Sequence, residues 1–109
     1  MTDQEQLLAQ IAQLIEAQED RLASNGNTVM ETSIRAHIEY LENIAKELAG
    51  GMSEEILLAK LEEELPQLDE EIAREEACPT FDWYDDHHYE KIYLGQRDAC
   101  KELLDLLQH

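Results

Sequence analysis

The chain has 109 residues, with 26 Asp and Glu against eight Lys and Arg, a formal net charge of −18 at pH 7. Such a field repels nucleic acid and anionic lipid and attracts basic protein surfaces, so direct binding to DNA, RNA or a membrane is not expected. A small domain needs a net charge of only about 2 to 8 in magnitude to stay soluble. The excess therefore reads either as a surface for a basic partner or as an adaptation to solubility or high salt.

This length suits one helical domain over residues 1–109, able to bury roughly two-thirds of its unfolded surface. Sixteen Leu and eight Ile supply a core, while Val and Phe occur once each and Gly and Pro are few. Helix formers dominate and strand formers are scarce, which predicts an all-α fold, an antiparallel four-helix bundle. The start, Met1-Thr2-Asp3-Gln4-Glu5, has acid where a signal peptide has base, and no apolar run approaches a membrane span, so a cytoplasmic protein is expected.

Thr2 and Glu5 have the spacing of a capping box and open a first helix over 3–24. Its apolar stripe is Leu7, Leu8, Ile11, Leu14, Ile15 and Leu22, and Ser24-Asn25-Gly26-Asn27 stops it. Thr28 and Glu31 repeat the spacing for a second helix over 29–49, buried through Met30, Ile34, Ile38, Leu41, Ile44, Ala45 and Leu48 and ended by Gly50-Gly51. Short linkers make these two an antiparallel hairpin.

Ser53 caps a third helix over 54–77, with Glu54 and Glu55 in its first turn. Leu58, Leu61, Leu65, Leu68 and Ile72 hold the helical period across Pro66, which favours one helix kinked at Pro66 over two short ones. Residues 52–77 carry −8 of the total charge, with ten carboxylates offset only by Lys60 and Arg74. A last helix over 85–107 buries Tyr89, Ile92, Ala99, Leu103 and Leu106, widened by Tyr93, Cys100, Leu104 and Leu107. Gly95 inside it costs about 1 kcal/mol relative to Ala and marks either a close helix approach or a local break.

Candidate chemistry is sparse. Asp82, Asp85, Asp86, His87, His88 and Glu90 concentrate potential metal ligands, yet no Glu precedes a His by three, as a carboxylate-bridged di-iron bundle needs. No metal, cofactor or catalytic residue is expected, and the cluster reads as a polar helix start. Cys78 and Cys100 are expected to be reduced thiols, and no phosphate loop or nucleophile elbow is present. Phe81, Trp83 and Tyr84 either lock a loop onto the bundle or offer an aromatic anchor flanked by Asp82, Asp85 and Asp86.

The run Tyr93-Leu94-Gly95-Gln96-Arg97-Asp98-Ala99-Cys100-Lys101-Glu102-Leu103-Leu104 resembles the C-terminal helix of many small phage and prophage proteins. The whole chain, small, helical and acidic, is similar in kind to phage-encoded inhibitors of host defence, such as anti-CRISPR and other DNA-mimic proteins. That resemblance implies a stoichiometric protein that fills a nucleic-acid-binding cleft, and it transfers no functional residue.

The leading expectation is a non-enzymatic protein that inhibits a basic nucleic-acid-handling partner, a CRISPR effector being one candidate. Its partner-binding surface would be Glu62, Glu63, Glu64, Asp69, Glu70, Glu71, Glu75 and Glu76, with Trp83, Tyr84, Asp85 and Asp86 as anchor. The alternative is a helical adaptor or homodimeric assembly protein whose acid serves solubility.

Overall fold

In the computed structural model the described residues are 3–25, 31–77 and 88–108. They form α1 (Asp3–Asn25), α2 (Glu31–Ala49), α3 (Glu54–Ala77) and α4 (His88–Gln108), with no strand among them. None of these helices is long and apolar enough to cross a membrane. Thr2, Thr28 and Met30 lie outside the described residues.

Local chemistry sets the α2–α3 corner. Gly51 has φ +115°, a left-handed conformation that glycine adopts without a Cβ penalty. Its N–H donates to the Leu48 carbonyl at 3.1 Å, and that of Met52 donates to the Glu47 carbonyl at 3.1 Å, the paired bonds of a Schellman end. Two residues later the Ser53 Oγ accepts from the Ile56 N–H at 3.2 Å, so Ser53 caps α3 as its position predicts. From there α3 runs as one helix through Pro66. Pro66 lies on the exposed side, where the Glu62 carbonyl it leaves unbonded can turn to water.

Polar contacts fix the helix directions. Gln4 at the start of α1 donates to the Leu48 carbonyl near the end of α2. Lys60 donates to Glu47 at 2.7 Å, and the Tyr40 hydroxyl donates to Glu64. Arg97 donates to Asp69 at 3.2 Å, and the Cys100 thiol to the Leu61 carbonyl at 3.4 Å. Successive helices are therefore antiparallel. The pair α2 and α4 is parallel, with Ser33 Oγ donating to the Lys91 carbonyl at 2.8 Å and His37 Nε2 lying 2.6 Å from Glu102 Oε1.

This pair shares the most extensive packing of any two helices among the described residues. α4 also packs on α3 and α2 on α1, while the remaining pairs meet sparingly. The packing thus runs in the order α1, α2, α4, α3, with α2 and α4 as the central pair and α1 and α3 at its two ends. Gly95 allows this: a Cβ built there would overlap the Ser33 carbonyl and sit 3.1 Å from the Ala36 Cβ. The glycine marks a close approach, and α4 continues through it without a break.

The core joins Leu7 and Ile11 of α1, Leu41, Ile44 and Leu48 of α2, Leu57 and Leu61 of α3, and Ala99, Cys100 and Leu103 of α4. Two expectations from the pattern are not met. The α3 stripe starts at Leu57, fully buried four residues before Leu61, while Leu58 is only half-buried. Both leucines satisfy the helical period, and the position of α4 selects the first. Tyr89, expected in the buried face of α4, is 55% exposed in the first turn of that helix. Gln18 is buried and accepts a hydrogen bond from Arg21 at 3.1 Å.

Candidate acidic interface on α3

A helix rises about 1.5 Å per residue, so residues seven apart lie in one row about 10 Å from each other. On α3 this sorts the predicted carboxylates into rows. Glu62, Asp69 and Glu76 form one exposed row and Glu63 with Glu70 a second. Glu64 and Glu71 form a third, half-buried, and Glu75 is half-buried on the flank beside Ile72.

The rows differ in what neutralises them. Among the described residues Asp69 is met by Arg97 at 3.2 Å and Glu71 by Arg74 at 2.9 Å. Lys60, the other cation of α3, turns to Glu47 of α2 instead. Glu62, Glu63, Glu70 and Glu76 have no ion pair with a described residue. These four exposed carboxylates are the part of the predicted surface that is both accessible and uncompensated. Trp83, Tyr84, Asp85 and Asp86, the predicted anchor, lie outside the described residues, as do Phe81, Asp82, His87 and Cys78.

Glu64 has a different role. It accepts the Tyr40 hydroxyl bond at the floor of an open cleft of about 510 Å³, lined also by Gln67, Glu70, Glu71 and Gln96. Burial, and then this bond to an anionic oxygen, push the Tyr40 hydroxyl far above its usual range, so it remains a neutral donor. The Cys100 thiol beneath is pushed up first by burial, with Glu64 and Asp69 adding to the shift and Tyr40 opposing it. Tyr40 therefore joins α2 to α3 while Cys100 joins α4 to α3. Tyr40 was not singled out by the sequence pattern; its place four positions before Ile44 and next to Leu41, at the edge of the α2 stripe, is the signal that could have found it.

Reactive pairs are absent from this arrangement among the described residues. His37 faces Glu102, Cys100 faces a carbonyl, and no three His, Cys, Asp or Glu residues are grouped to hold a metal ion. A fully buried thiol held above its usual range should be inert. In native protein at pH 8 the Cys100 peptide is expected to stay unmodified by iodoacetamide and to label fully in denaturant, as read by peptide mass spectrometry. Labelling of Cys100 at the rate of a free thiol would contradict the packing described.

The uncompensated carboxylates also predict a salt response. Raising salt from about 0.05 M to about 0.5 M screens exposed like charges. The thermal midpoint should rise by several degrees, measured by circular dichroism, because self-repulsion opposes the compact state. A falling midpoint would mean that attractive ion pairs outweigh repulsion.

Comparison with protein-family models, with curated proteins and with solved structures returned no match. The fold and surface together describe a small all-α bundle whose third helix bears an exposed anionic face, and its function has to be argued from that face.

Proposed function

We propose that this chain is a non-enzymatic acidic protein that binds a basic, nucleic-acid-handling protein and occupies its nucleic-acid site. It would act in the manner of the DNA-mimic and anti-CRISPR inhibitors it resembles, a CRISPR effector being a partner of the required chemistry. The observation that carries this reading is the face of α3, where Glu62, Glu63, Glu70 and Glu76 stand exposed without a described cation partner.

Like charges so close on a helix oppose folding by a few tenths of a kcal/mol per neighbouring pair. The same carboxylates would be recovered as favourable interactions in a groove lined with Lys and Arg. Carboxylates about 10 Å apart along each row present separate charges along a rod, which suits a basic channel that tracks a nucleic-acid backbone.

The test is retention of proteins from a nuclease-treated extract on the immobilised chain, eluted by a salt ladder. Basic nucleic-acid-binding proteins should elute as salt screens the contact. Retention only of proteins that survive high salt would instead favour the helical adaptor reading, in which apolar contacts dominate.

A further inference from the structure

We propose that the groove between α1 and α2 receives an amphipathic helix of a partner protein, with apolar side chains at seven-residue intervals and Lys or Arg beside them. This surface is separate from the carboxylates of α3 and does not depend on their role.

α1 packs mainly on α2 and meets α3 and α4 sparingly. The core uses Leu7 and Ile11 fully, and leaves Leu8, Ile15 and Leu22 half-buried. These three are seven residues apart and so form one row about 21 Å long. Across from them, Ile38 and Ala45 of α2 are also seven apart. The two rows wall adjoining depressions of about 480 Å³ and 440 Å³, which share Glu39 and Glu42 and together make one continuous groove. Two antiparallel helices with matched seven-residue rows offer the holes into which a third helix inserts its side chains, the geometry of knobs-into-holes packing.

Charge selects the occupant. Glu19, Glu39 and Glu42 rim the groove and are exposed. Arg35 is already met by Glu31 at 2.8 Å, which leaves Lys46 as the rim cation with no described ion pair. A helix flanked by Lys or Arg complements this rim. A second copy of this chain would instead set the same carboxylates against each other, at a cost.

The probe is a fluorescent three-heptad peptide with Leu at the a and d positions and Lys at e and g, compared with a version carrying Glu at e and g. Both are titrated into the full chain at about 0.5 M salt, where long-range attraction to the rest of the molecule is screened. The Lys peptide should bind one to one and at least tenfold more tightly than the Glu peptide. Methyl shifts should be confined to Leu8, Ile15, Leu22, Ile38 and Ala45. Leu8→Gln with Ile15→Gln leaves the net charge unchanged and should weaken binding at least tenfold, whereas Glu62→Lys with Glu63→Lys should not. Because the double Gln variant can lose stability, the methyl map of the unaltered protein stands as the independent readout.

The proposal is overturned if the shifts fall on α3, or if the Lys peptide does not bind. It is likewise overturned if sedimentation shows a dimer that buries these methyls, or if the free protein already shows contacts from the rings of Phe81, Trp83 or Tyr84 to them.

Discussion

Gly95→Ala is expected to lower the stability of the fold by about 2 kcal/mol, even though Ala is the better helix former. The intrinsic gain in α4 is about 1 kcal/mol. Against it stands a Cβ that would overlap the Ser33 backbone carbonyl and press on the Ala36 Cβ. A backbone atom cannot move aside as a flexible side-chain tip can, so α2 and α4 must separate, at an overpacking cost of up to about 3 kcal/mol. Separation also strains the Ser33 to Lys91 bond and loosens Ala99, Cys100 and Leu103 along the same seam. In a domain of this size the loss should lower Tm by roughly 10 °C. Gly50→Ala is the matched control: a Cβ there meets the Lys46 and Glu47 carbonyls at 3.4 Å and 3.5 Å, which is ordinary contact. Its effect should stay within about 0.5 kcal/mol. Equal effects at the two glycines would contradict a close approach of α2 and α4 at Gly95.

Glu62→Lys, Glu63→Lys and Glu70→Lys combined should separate stability from binding by moving them in opposite directions. All three side chains are exposed and have no ion pair with a described residue, so the substitutions break no described ion pair. They relieve like-charge neighbours on α3 and should leave helicity unchanged while raising stability by about 0.5–1 kcal/mol. Affinity for the basic partner should fall on the order of a hundredfold at low salt, largely through slower association. A surface whose acidity serves only solubility would show the gain in stability without the loss of binding.

Helix content and spans were legible because periodicity and punctuation agree along this chain. The Schellman end at Gly51 and the Ser53 cap are local devices, and local devices can be read from neighbouring residues. What could not be read is which side of an apolar stripe wins. Leu57 and Leu58 fit the period equally well, and only the approach of α4 decides between them. The same holds for Gly95, whose role as a contact point depends on Ser33 and Ala36, 59 or more residues away in the chain. For the candidate site, the concentration of acid on α3 was plain in the sequence. The division of that acid was not. Glu64 binds Tyr40, Asp69 meets Arg97 and Lys60 crosses to Glu47, and each of these pairings needs another helix to be in place.

Whether the exposed face of α3 competes with nucleic acid for a basic protein is decided by a competition measurement. The partner retained on the immobilised chain is purified, and its binding to labelled nucleic acid is titrated with this protein and with the triple Lys variant. The expected result is stoichiometric displacement of the nucleic acid by the unaltered protein, weaker at higher salt, and none by the variant. A ternary complex in which partner, nucleic acid and this protein are bound together, or equal displacement by the variant, would contradict it.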